Sequence, residues 1–207
     1  MKPFGPISIL LFSFLTISCS QEEIKPTVSI SEYSKLEIGN YWVYEWFEIS
    51  PNGTEEPYGK IDSVYIAKDT LIQDHTYFIK SGTFLGNESM NILFDSANSL
   101  YDYTTKEIQF TIDPTKKSIR NFGSSDSPLA IGTYSLNIES ESVDVPAGTF
   151  DCLNYEGKIE STESDYAYGT RLNSNLYSSS VGLVKITTNY YSSPNNLEMR
   201  LVRYGKN

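Results

Sequence analysis

Apolar and polar residues alternate with period two along most of this chain, and that alternation predicts strands rather than helices. The clearest stretch is 107–112, where Ile108, Phe110 and Ile112 fall on one side and Glu107, Gln109 and Thr111 on the other. Strand patterns are expected over 41–49, 61–67, 75–83, 90–94, 100–103 and 107–112, and again over 133–138, 141–145, 150–160, 166–172, 183–191 and 197–204. In 41–49 one side carries Tyr41, Val43, Phe47 and Ile49 and the other Trp42, Tyr44 and Trp46. Both faces of that strand need cover, which places it inside a sheet rather than at its edge. Ile38-Gly39-Asn40 precedes it and Pro51-Asn52-Gly53 follows it, both turn signals. Many short strands joined mostly by short turns imply an all-β chain with little helix, an antiparallel meander forming a barrel, half-barrel or sandwich.

One apolar run does not alternate. It extends from Ile7 to Ile17, follows a single lysine (Lys2) and ends at Cys19. It is too short to cross a ~30 Å hydrocarbon core as a helix, but it has the length of a signal-peptide h-region. Leu15-Thr16-Ile17-Ser18-Cys19 resembles the lipobox of bacterial lipoproteins, with Thr16 where leucine is usual. The resemblance implies that residues 1–18 are removed and that Cys19 is acylated on its thiol and its new amine. Each buried CH₂ contributes about 0.8 kcal/mol, so two or more fatty chains hold a protein firmly to outer-membrane lipid. Ser20-Gln21-Glu22-Glu23 resembles the short acidic signal that sends Bacteroidota lipoproteins to the outside of the outer membrane. Residues 19–34 carry charge, Pro26 and little apolar content, so a flexible lipidated tether is expected there, followed by a single β domain over 35–207.

Charge and chemistry narrow the function classes. The net charge is −10 over 207 residues, which argues against a nucleic-acid partner. Aromatics make up 14% of the chain, with 16 tyrosines, a composition that suits strands. If Cys19 is acylated, Cys152 has no partner within the chain and is expected to be a small buried hydrophobe. The sole histidine, His75, is far from Cys152 in sequence and too solitary for a zinc site. Glu22-Glu23, Glu55-Glu56 and the Glu160, Glu163, Asp165 group read as solvated turn residues. Calcium-loop, phosphate-loop and G-x-S-x-G strings are absent. No catalytic residue, metal ligand or cofactor is therefore expected, and the chain does not read as an enzyme.

Val143-Asp144-Val145-Pro146-Ala147-Gly148-Thr149-Phe150-Asp151-Cys152 reads as strand, tight turn, strand. Pro146 presets φ near −65° and Gly148 supplies positive φ, which makes these two the structural turn residues. With Gly39-Asn40-Tyr41-Trp42-Val43-Tyr44 near the start and Val181-Gly182-Leu183-Val184-Lys185 near the end, the layout resembles a family of Bacteroidota outer-membrane lipoproteins. The resemblance implies an all-β exported domain and carries no activity with it. Trp42, Tyr44 and Trp46 are the candidate ligand or partner surface, because aligned aromatics build carbohydrate and lipid sites, although a packed core beside the first strand is the plainer explanation of them. The expectation is a non-catalytic binding module on the outer membrane, facing outward, that engages an envelope protein, a glycan or an apolar ligand. The alternative is a periplasm-facing carrier or chaperone that encloses an apolar ligand.

Overall fold

The computed structural model describes residues 28–124, 126–164 and 166–206. The expected signal peptide, Cys19, tether residues 19–27 and Asp165 lie outside the described residues. The chain begins with a short helix, α1 (Ile30–Ser34), and continues through twelve strands: β1 (Asn40–Ile49), β2 (Glu55–Ile72), β3 (His75–Phe84), β4 (Asn87–Ser96), β5 (Ser99–Asp102), β6 (Ile108–Thr111), β7 (Lys117–Gly123), β8 (Pro128–Val145), β9 (Gly148–Ser161), β10 (Arg171–Ser178), β11 (Gly182–Asn189) and β12 (Asn196–Lys206). They form one antiparallel sheet in the order β6-β5-β4-β3-β2-β1-β12-β11-β10-β9-β8-β7. Apart from β6 and β7, consecutive strands pair with each other, β1 pairs with β12, and β6 and β7 remain as facing edges. The result is a nearly closed barrel, one of the forms expected from the meander pattern.

Packing explains which side of the sheet faces inward. Tyr44 and Trp46 of β1 lie opposite Leu201 and Met199 of β12, and all four are buried together with Ile66, Leu93, Phe110, Tyr155 and Tyr177. The other face of β1 is half-buried: the Arg200 guanidinium covers Phe47 at 4.6 Å and Arg203 lies over Tyr41 at 6.0 Å. No helix among the described residues is long and apolar enough to cross a membrane.

Four expectations need correction. The tether does not extend to residue 34: Ser29 caps α1, Glu32 completes a capping box, and Ile30 and Tyr33 are buried against the barrel. The stretches 133–138 and 141–145 are one strand, β8, interrupted by an irregularity between Asn137 and Glu141. The strand expected at 166–172 lies instead at Arg171–Ser178, because Tyr166 and Tyr168 pack on each other in a loop rather than in a ladder. Finally, no strand is expected between 112 and 133, yet β7 lies there: it carries no apolar alternation, its inward positions being Ser118, Arg120 and Phe122.

The 143–152 segment forms the predicted hairpin. Val145 pairs with Gly148 across Pro146-Ala147, and Gly148 has φ +131°. The hairpin tip docks elsewhere, since Ala147 N–H donates to the Leu201 carbonyl of β12 at 3.0 Å and the Phe150 ring meets Tyr204 edge-on at 6.0 Å. The turn therefore seals one end of the barrel wall as well as reversing the chain.

Candidate functional site

Trp42, Tyr44 and Trp46 point into the barrel with exposures of 6%, 3% and 0%. They do share one strand face, as the alternation requires, but that face is core and not an open surface. Each polar tip is paired. Trp42 Nε1–H donates to the Val181 carbonyl at 2.7 Å, Tyr44 Oη–H to the Leu183 carbonyl at 3.0 Å, and Trp46 Nε1–H to Asp62 Oδ2 at 2.6 Å. A buried aromatic with a polar tip needs such a partner, and here the three ring tips stitch β1 to β2 and to the β10–β11 corner. Trp42 also borders an open groove of about 290 Å³ beside α1.

Asp62 shows how the interior handles charge. Its carboxylate accepts from Trp46, from Leu85 N–H at 2.7 Å and from Gly86 N–H at 2.9 Å. Burial pushes its pKa up, but hydrogen bonds from Gly86, Trp46, Thr83 and Leu85 together outweigh that and hold it below the usual carboxylate range. Lys80 of β3 lines a small interior cavity of about 30 Å³ with Ser34, Trp42, Tyr44 and Leu93. Desolvation lowers its pKa, partly offset by the Asp102 carboxylate. Space of that size accommodates about one water molecule.

The remaining reactive groups are dispersed. Cys152 is buried, and burial together with Glu141 and Asp151 pushes its thiol up to about 12, so it is a thiol and not a thiolate at neutral pH. His75 opens β3 at an exposed turn. Glu55 is held by a bidentate pair with Arg200 at 2.7 Å, and Glu160 by Lys158 at 2.7 Å. Among the described residues no three His, Cys, Asp or Glu side chains cluster as metal ligands would.

Sequence reasoning missed a recess at the barrel end away from α1. Strand β11 connects the two ends: a Cβ on Gly182 would come within 3.1 Å of the Tyr33 carbonyl of α1, whereas Asn189 lines the recess. The recess has a volume of about 100 Å³ and is walled by Phe122, Ile159, Tyr166, Tyr190 and Tyr191 with Arg171, Asn173 and Asn189. Tyr166 stacks on Tyr191 at 4.8 Å. The Arg171 guanidinium donates to the carbonyls of Tyr190, Ser193, Pro194 and Asn195 and to Asn196 Oδ1, which fixes the β11–β12 loop. Asn173 Nδ2–H donates to Tyr134 Oη at 3.1 Å, and Asn189 Nδ2–H to Asn173 Oδ1. The available signal was the run Asn173-Ser174-Asn175 in the middle of a strand, where side chains that disfavour strands need a reason to be there.

No family model matches the chain, and no curated protein does. Two solved structures are similar to it. One is a candidate lipoprotein from Parabacteroides distasonis, with TM-score 0.44 and 14% identity over 84% of this chain and 98% of that one. The other is a candidate exported protein with a YmcC-like fold from Bacteroides fragilis, with TM-score 0.45 and 12% identity over 82% of this chain and 97% of that one. Similarity of this degree carries no activity from one protein to another.

Proposed function

We propose that this protein is a lipid-anchored cell-envelope module, held by acylated Cys19 on the outward side of the outer membrane, that binds a partner without catalysis. The anchor rests on the lipobox-like string at Leu15–Cys19 and the acidic residues after it. The observation that carries the mode of action is the filled interior. Trp46, Phe110 and Tyr155 are fully buried there, and the cavity between Trp42, Tyr44, Lys80 and Leu93 offers about 30 Å³. Enclosing an acyl chain takes roughly 300 Å³ or more, so the carrier reading is disfavoured and contacts belong on the outside of the barrel. The raised Cys152 thiol and the ion-paired Glu55 and Glu160 support a non-catalytic role.

The test is purification of the mature acylated protein from its own host after cross-linking on intact cells, followed by solvent extraction and mass spectrometry. A covalent partner adduct, with no lipid beyond the N-terminal acyl chains, is the expected result. A stoichiometric extractable apolar ligand would establish the carrier instead. Protease treatment of intact cells reads the outward orientation: the protein should be cut, and survival would place it on the periplasmic face.

A further inference from the structure

The barrel stays open between β6 and β7, which are consecutive in sequence and share no ladder. Two contacts hold them apart. In the connecting loop, Lys116 Nζ donates to the Ala97 carbonyl at 2.7 Å, to Ser99 Oγ at 3.2 Å and to Tyr101 Oη at 3.3 Å, fastening the loop to the β4–β5 corner. From β7, Arg120 Nη2–H reaches across to the Ile108 carbonyl of β6 at 2.6 Å, with the Glu107 carboxylate 3.5 Å from its Nε. Its guanidinium lies 4.3 Å over the Tyr134 ring, and that ring lies against Gly157, where a Cβ would come within 2.4 Å of it. A gap bridged by an arginine side chain is wider than the ~4.8 Å between paired strands. It opens as a groove of about 550 Å³ lined by Lys106, Glu107, Ile108, Lys117, Ile119 and Asn121 among others.

Two facing edges that share no ladder are a template for another strand, and of the two only β6 has a backbone group, the Ile108 carbonyl, taken up by the arginine bridge, which leaves β7 as the edge to pair with. The groove is also basic on balance, with Lys106 and Lys117 at its rim and Arg120 beneath against the single carboxylate of Glu107, in a chain of net charge −10. Lys117 and Ile119 point outward two residues apart, and Ile119 is 70% exposed. We propose that the seam receives an extended acidic segment of a partner protein, which pairs with the β7 edge and places an acidic residue beside Lys117 and an apolar one beside Ile119. This rests on the outward-binding reading and names the class of partner. Its failure is separable, because the filled interior and the lipid anchor are read by other measurements.

The probe is a peptide of about eight residues with glutamate and valine alternating on one face and threonine on the other, titrated into the mature acylated chain in detergent. Binding is expected with hydrogen-exchange protection of the β6 and β7 amides. The double variant Lys117→Glu, Ile119→Ser alters only outward side chains and should keep its melting temperature while weakening binding roughly tenfold or more. Lysine in place of glutamate, or a central proline, should abolish binding. The proposal is overturned by no binding at about 1 mM peptide, by protection elsewhere in the barrel, or by equal binding of the proline peptide or of polygalacturonate. It is equally overturned if binding appears only after deletion of residues 20–28, which would assign the groove to the chain's own N-terminal segment.

Discussion

Two aspartates, one buried and one half-buried, show how much a neighbour's N–H matters. Asp62 is surrounded by donors and stays ionised, whereas Asp95 receives one hydrogen bond, from Ser34 Oγ at 2.7 Å, and its Oδ1 is buried with no partner. Burial raises the Asp95 pKa and the Ser34 bond only partly offsets it. A raised folded-state value means that the folded chain binds that proton more tightly than the unfolded one. The contribution of Asp95 is therefore complete below the unfolded pKa, ~3.9, and is lost as pH rises through its folded value. Asp62 has the opposite sign: its contribution is present above ~3.9 and lost as pH falls through its lowered folded value. Asp95→Asn should accordingly raise stability at pH 7, and the gain should shrink as pH falls to about 4. Urea denaturation at the two pH values reads this, and a variant no more stable than the parent at pH 7 would refute it.

Among the elements, the β8–β9 corner can be tested most directly. At φ +131° Gly148 occupies backbone space that L side chains rarely adopt, although a Cβ there meets only the Phe150 ring at 3.9 Å. The cost of substitution is thus strain and not collision, and Gly148→Val should destabilise the domain by roughly 1–3 kcal/mol. An unchanged thermal melt would show that the turn relaxes freely. This corner was legible in the sequence because proline and glycine encode φ directly. Strands β1 and β6 were legible because their buried faces are apolar at every second position. What was hidden follows from the same physics. Strand β7 turns Ser118 and Arg120 inward to the Tyr155 hydroxyl and the Tyr134 ring, so Phe122 is the one apolar residue of its inner face and no periodic mark is left. Strand β10 buries asparagine, while the apolar signal just before it belongs to stacked loop tyrosines. Helix α1 is five residues long and shows itself only through Ser29 and Glu32 at capping-box spacing. The Trp42, Tyr44 and Trp46 stripe was visible, but period two says only that side chains share a face and not whether that face is core or surface.

For the whole molecule, the meander joins its first and last strands, so closure depends on contacts between residues as distant as Trp42 and Tyr204. The chain enters at α1, and β11 runs from that end to the tyrosine-lined recess, a span of roughly 23 Å for eight residues. The proposed anchor would therefore hold the α1 end nearest the bilayer, turn the recess away from it and leave the β6–β7 seam along the side. That arrangement makes the lipid a positioning device for outward contacts, and it depends on Cys19. Cys19→Ala removes the only thiol of the lipobox-like string while leaving every residue of the barrel unchanged. Radiolabelled palmitate should no longer enter the protein, residues 1–18 should remain attached, and the chain should leave the outer-membrane fraction. The melting temperature of its β domain should match the parent's, because no packed residue has changed. Palmitate incorporation into the variant would place the acyl chains on another residue and sever the link between the anchor and the α1 end.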